Sequence, residues 1–290
     1  MRLGTGVALV MAAGLLWSTQ GLVIRQIEEA GSWAVLFWRS LGMVPVLLAF
    51  LALRAGGSPL PAIRRVGWTG ALGGAGLVGA FGGAVAALQA TTVADAVFLF
   101  AASPAFAALL GWAALRERVA PATWACIALA LAGIFVMVRD EFGSGAAYGN
   151  AAALVSALGF AIFTVTLRRG RLHDTLPSVL LGALFSMVAG ALAAALAAEP
   201  LAVPPGDVLW SLAMGAVTLS GGMVLYTLGS RSVPAAELAL LALVEVLLAP
   251  VWVWLWLGEG GSPATFAGGG IVLLAVTLNG LLGARRPARA

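Results

Sequence analysis

Glu245 is a carboxylate in a place where carboxylates are rare. It stands about midway along an apolar run, 234–257. If that run crosses a bilayer, an acid there costs on the order of 2.5–3.5 kcal/mol on insertion scales. Such a residue binds a cationic group such as an ammonium, titrates during a working cycle, or serves as a protonated or Arg-paired structural acid at a helix contact. Trp17 and Gln20 form a second constellation: an indole to stack on an aromatic group, and an amide to orient a polar head. Phe160 and Phe163 stand at matching places 143 residues later. Phe98, Ser103, Ser220 and Tyr226 add aromatic and hydroxyl groups, and Gly79 leaves room for a ligand. All ten are candidates for contacting a small molecule, against the plainer reading of helix and lipid packing. Pro104 and Pro250 interrupt the backbone hydrogen bonding of apolar runs and are candidate hinges.

Other chemistries lack their parts. One Cys (Cys126) precludes an internal disulfide, and one His (His173) precludes a multi-histidine metal centre. No Gly-Lys-Ser/Thr phosphate loop is present, so the chain does not drive itself with ATP. A nucleophile–base pair for a membrane enzyme does not assemble. No cofactor is expected.

These residues are set in a membrane-protein composition. Apolar residues make up 61% of the chain and charged residues 10%, and the mean hydropathy is +1.03, more apolar than a water-soluble fold requires. A hydrocarbon core of ~30 Å takes about 20 helical residues. Ten stretches qualify: 6–25, 33–53, 66–89, 93–115, 121–138, 147–167, 177–198, 208–229, 234–257 and 263–283. The basic residues, all Arg, lie mostly in short connections between them, which fits membrane orientation better than nucleic-acid binding. With the N-terminus in the cytoplasm, thirteen Arg fall on the cytoplasmic side. Arg25 and Arg139 fall outside, and Arg39 lies within the second span. The positive-inside rule therefore places both termini in the cytoplasm. Arg39 is expected to reach Glu28, Glu29 or Asp95, and Trp252, Trp254 and Trp256 to form an interfacial belt.

Residues 90–124 recur, ungapped, as 232–266 at an offset of 142. Asp95 meets Glu237, Trp112 meets Trp254, Glu117 meets Glu259, and Pro121-Ala122-Thr123 meets Pro263-Ala264-Thr265. The chain reads as one unit written twice, 1–140 and 146–286, and five spans per unit make the second copy inverted. The expected fold is all-α: a polytopic membrane protein of ten transmembrane helices in two inverted five-helix repeats. Asp95, Leu99 and Ser103 match Glu237, Leu241 and Glu245 as single helical stripes. Asp95 and Glu237 are expected to be interfacial acids near helix N-termini.

The run Ala102-Ser103-Pro104-Ala105-Phe106, followed by Leu115-Arg116-Glu117-Arg118-Val119 and Pro121, resembles the fourth and fifth helices of the EamA-type branch of the drug/metabolite transporter superfamily. Leu225-Tyr226-Thr227-Leu228-Gly229, Ala235-Ala236, Leu257-Gly258-Glu259 and Pro263 continue the resemblance in the second half. The chain departs from the pattern at Val246, where a Pro is usual. The resemblance implies a ten-helix secondary carrier, most like the aromatic amino-acid exporters. It would move small neutral metabolites across a bacterial inner membrane by alternating access around a midplane cavity. Its partners would be a small-molecule substrate and the lipid bilayer, with no nucleic acid, and a monomer is compatible with all of this. A multidrug carrier of the same fold and a non-transporting membrane receptor are the alternatives.

Overall fold

A computed structural model describes residues 3–116, 121–138, 146–172, 174–230, 233 and 235–284. Glu117, Arg118, Arg139, His173 and the side chain of Glu237 lie outside the described residues.

The described residues are helical, without strands. Helices α1 (Leu3–Ser18) and α2 (Gln20–Ile24) share the first apolar run. They are followed by α3 (Ser32–Ala55), the short α4 (Leu60–Arg65), α5 (Gly67–Ala90), α6 (Val93–Phe100), α7 (Ser103–Leu115) and α8 (Pro121–Val138). The second half holds α9 (Ala146–Arg169), α10 (Leu176–Leu196), α11 (Pro205–Ala213), a wide π turn over Met214–Gly221, α12 (Gly222–Ser230), α13 (Ala235–Leu257) and α14 (Pro263–Ala284). Among the described residues, seven helical stretches are long and apolar enough to cross a membrane. Pro121–Met137, Val244–Leu257 and Pro263–Asn279 are shorter apolar helices.

Three runs expected to be single helices are interrupted. The first breaks at Thr19, where the Ser18 and Thr19 hydroxyls turn back to the carbonyls of Leu15 and Leu16 at 2.8 and 2.7 Å. The fourth breaks at Ala101-Ala102, because Pro104, in the first turn of α7, has no N–H to carry the ladder onward. The eighth widens into the π turn, where Thr218 Oγ1 donates to the Met214 carbonyl. Pro45 and Pro250 lie inside α3 and α13, which run on without a break.

Small residues set the packing. A Cβ on Gly159 of α9 would stand 2.4 Å from the Ala80 nitrogen of α5, and one on Gly83 of α5 would stand 2.6 Å from the Ala152 carbonyl of α9. Gly133 of α8 and Gly268 of α14 each lie against the other's carbonyl oxygen. Apolar burial drives little helix association in lipid, so backbone contacts of this closeness supply the dispersion that does. Two buried clusters fill the rest. One gathers Ile24, Val35, Leu88, Val97, Leu99 and Met137, and the other Met43, Leu77, Phe81, Phe163, Leu180 and Leu219.

Candidate functional site

Helix α1 packs on both α12 and α13, and three of the expected residues, Trp17, Tyr226 and Glu245, lie on these helices. Trp17, one residue before the end of α1, points its indole at the second half. Nε1 approaches the Leu219 carbonyl at 3.5 Å, and the ring centroid is 5.7 Å from that of Tyr226. Gly222 makes this possible, since a Cβ there would lie 2.2 Å from Trp17 Nε1. One turn earlier on α1, Gly14 rests against Val244 and the backbone nitrogen of Glu245, at 3.5 and 3.7 Å from its ideal Cβ. Glu245 is half-buried there. Gln20 is half-buried at the start of α2.

The other expected residues form separate groups. Phe160 and Phe163 face each other on α9 with centroids 5.7 Å apart. Phe163 is buried against Gly73 and Gly76 of α5, whereas Phe160 is exposed. Phe98 packs under Gly269 and beside Phe266 of α14, with centroids 6.4 Å apart. Gly79 sits opposite Gly159 and Val155 of α9. Ser220 is fully buried and points to the Met43 carbonyl of α3 at 3.5 Å. Ser103 is buried at the start of α7, and the neighbouring Pro104 is exposed.

Arg39 corrects an expectation. It meets none of Glu28, Glu29 and Asp95. It is 1% exposed, donates through Nη2 to the Phe81 carbonyl at 2.9 Å, and lies over the Phe81 ring at 5.3 Å from the centroid. Its Nε has no partner among the described residues. Arg39 is more than a turn inside α3, and its side chain is taken up by the carbonyl and ring of Phe81 of α5. Asp95 lies in a first turn, that of α6, and is buried among protein groups. Trp252 is half-buried and turns its indole N–H inward. Its Nε1 donates to Ser18 Oγ at 2.9 Å, while Trp254 and Trp256 are exposed.

The polar centre that the sequence did not disclose lies at the ends of α2, α5 and α13 and the start of α6. Arg25 holds Glu259 with two parallel bonds, Nε to Oε2 at 2.7 Å and Nη2 to Oε1 at 2.9 Å. The same guanidinium donates to the carbonyls of Leu88 and Thr91. Glu259 also accepts from the Val93 backbone N–H at 2.7 Å. Burial pushes the Glu259 carboxyl up. The Arg25 hydrogen bond, the Val93 N–H and the Arg25 charge outweigh it and leave the group below the usual carboxylate range. The available signals were Thr92-x-x-Asp95 and Ser262-x-x-Thr265, both helix-start capping patterns that mark a helix mouth.

A model of the EamA-like transporter family matches residues 4–139 and again residues 147–281. An uncharacterized transporter from Archaeoglobus fulgidus is 27% identical over 196 residues, which is 67% of this chain and 69% of that protein. A crystal structure of a protein 21% identical in sequence superposes with a TM-score of 0.64, covering 98% of this chain and 99% of that one, a likeness of fold.

Proposed function

The chain belongs to the EamA-like transporter family, and on that premise we propose that it is a secondary exporter of small neutral metabolites, aromatic or other hydrophobic amino acids foremost. In this reading ten helices form two inverted five-helix repeats, 1–140 and 146–286, in a bacterial inner membrane with both termini cytoplasmic. Three features support that architecture. The family matches twice, on either side of a short connection. The Arg residues segregate to alternate connections. The packing partners also exchange between halves: α5 packs on α9 as α12 packs on α1, and α7 packs on α9 as α13 packs on α1. The second member of each comparison is the first moved by five spans.

The observation that carries the substrate class is the Trp17–Tyr226 pair with Glu245 beside Gly14. Two aromatic faces from opposite halves and one acid deep in apolar helices suit a molecule with an aromatic or aliphatic body and an ammonium group. Rocking of the halves would expose that group of residues to each side in turn.

Counterflow of labelled Phe, Trp or Met into liposomes, with a panel of unlabelled competitors, tests the substrate. Trp17→Ala and Tyr226→Ala are expected to slow flux at least tenfold, and Glu245→Gln to slow it and flatten its pH dependence, the last because a titrating acid has been removed. Flux of none of the panel would sink the amino-acid reading. Full rate and unchanged pH dependence in Glu245→Gln would make that residue structural.

A further inference from the structure

The connection between α3 and α5 meets the end of α9 at one end of the molecule. Helix α4 carries Arg64 and Arg65 in its last turn and has no buried residue. Both Arg are exposed. Past the left-handed Gly67 (φ 55°), Trp68 stands in the first turn of α5 and is 64% exposed. A Cβ on Gly170, which follows α9, would run into Thr69 Oγ1. The end of α9 therefore sits beside the start of α5. There the Arg169 guanidinium lies over the Trp68 ring, 5.6 Å from its centroid.

Positive charge at this end is left over. The acid that the described residues bring here, Asp174, is taken by Arg54, Nη1 to Oδ2 at 2.9 Å. Arg64, Arg65, Arg169 and Arg171 have no ion-pair partner among the described residues. Arg171 is left-handed, φ 50°, where a helix-ending turn ordinarily takes glycine. Its N–H reaches the Arg168 carbonyl at 3.1 Å, and the Leu172 N–H reaches back to the Leu167 carbonyl at 3.0 Å. Steric strain is thus accepted at a position that holds a cation. The dipole of α9 favours cations at its end, but it does not account for a guanidinium laid on an exposed indole. Stacking on one face fixes the plane of the guanidinium and leaves its N–H edge to donate. That geometry suits a phosphate held by two parallel bonds.

The surroundings say what carries the phosphate. Trp68, Leu72 and Ala75 are exposed at i, i+4 and i+7 and share one face of α5. That face leads from the cations into the apolar span Gly67–Ala90. An exposed Trp at the end of a span sits at headgroup depth. We propose that Arg64, Arg65, Arg169 and Arg171, with Trp68, form a site for the phosphate of an anionic phospholipid of the cytoplasmic leaflet, its acyl chain lying along the Trp68–Leu72 face. The proposal rests on the membrane orientation given above and is independent of the substrate. The headgroup would join α4 and α5 of the first half to the end of α9 in the second.

The test titrates delipidated full-length protein in detergent with phosphatidylglycerol or phosphatidylcholine of the same chains and counts bound lipid by mass spectrometry of the intact protein. The first phosphatidylglycerol should bind at a concentration about tenfold or more below that of phosphatidylcholine. The triple variant Arg64→Gln, Arg65→Gln, Arg169→Gln should bring the two lipids level. Arg169→Lys and Trp68→Leu should each reduce the preference, because one loses the planar fork and the other its platform. Arg116→Gln is the control. It removes one exposed Arg at the end of α7 and should leave the preference as it was. The side chains changed are exposed, and only variants that elute as the parent does are compared. Equal binding of the two lipids to the parent overturns the site, and so does a preference that survives in the triple variant. Equal losses in Arg116→Gln and Arg169→Gln also overturn it, since total charge would then be the cause. No transport is measured, so a chain that passes here and moves no amino acid fails only the substrate reading.

Discussion

Thr265 Oγ1 donates to Asp95 Oδ1 at 2.6 Å, joining the first turns of α14 and α6 across 170 residues of sequence. Each helix is already capped locally. Thr92 accepts from the Asp95 N–H and donates to Asp95 Oδ2, while Ser262 accepts from the Thr265 N–H. The Thr265 hydroxyl has one proton, and Asp95 takes it. In the 2.9 Å contact between the two hydroxyls, Ser262 is therefore the donor. The acid gains from the α6 dipole as well. A capping device that is local in other proteins here fastens the two halves together, beside the Arg25–Glu259 pair.

Thr265→Val removes that hydroxyl at nearly constant volume and leaves a buried carboxylate one donor short. The expected cost is about 1–3 kcal/mol. It should be visible as a lower Tm in detergent, with Thr265→Ser close to the parent. Equal Tm for Thr265→Val and Thr265→Ser would show that Asp95 finds another donor.

Helix α3 crosses α11 and the π turn at two glycines. A Cβ on Gly42 would lie 2.4 Å from the Leu212 carbonyl, and one on Gly215 would lie 1.9 Å from the Arg39 carbonyl. Both obstacles are backbone, which cannot swing aside, so Gly42→Ala and Gly215→Ala should force the helices apart at a cost of about 1–3 kcal/mol or more. Gly270→Ala is the control: nothing lies within 4 Å of its Cβ, and its helix should gain about 0.5–1 kcal/mol. Thermal unfolding of the three in one detergent compares them directly. A Tm for Gly215→Ala at or above that of Gly270→Ala would contradict the crossing.

Arg39 keeps a full charge with one carbonyl and one ring for company. Replacing a poorly matched buried charge by an apolar chain of similar length is often neutral or stabilising by about 1–4 kcal/mol. Arg39→Met is therefore expected to match or exceed the parent Tm, and Arg39→Ala to fall below it through lost packing. If Arg39→Met unfolds the protein, the Phe81 contact contributes more than its geometry suggests.

Glu259 sets a pH limit on its own contact with Arg25. Its folded carboxyl lies below the usual range, so its contribution is complete above the ordinary Glu value of about 4.3 and fades as pH falls through the lowered one. The Tm advantage of the parent over Glu259→Gln in detergent should therefore stay flat from pH 7 to 5 and shrink only as pH falls through the lowered value. Loss of that advantage between pH 6 and 5 would place control on another group.

Hydropathy, the Arg distribution and the echo at offset 142 were enough to identify a helical membrane protein of duplicated sequence. These are properties of the chain taken a window at a time, and the bilayer imposes them on each segment separately. Trp17 was legible as a candidate because an indole deep in an apolar run stands out locally. Its partnership with Tyr226 was not, because that depends on Gly222 leaving an opening in another helix. Phe98 and Phe163 looked equally suited to a ligand, yet tertiary packing gave their faces to α14 and α5. Arg39 was assigned carboxylate partners and found a carbonyl and a ring, since the fold brings Phe81 of α5 onto its side chain. Arg25 and Glu259 are separated by 234 residues. Their types and positions were plain in the sequence, and the echo even marked Glu259 through Glu117. That they clasp one another was decided by the left-handed turn at Gly258 and by the ends of α5 and α6 arriving at the same place. Ion pairs are set by distances of a few ångströms, and only the folded chain determines those distances.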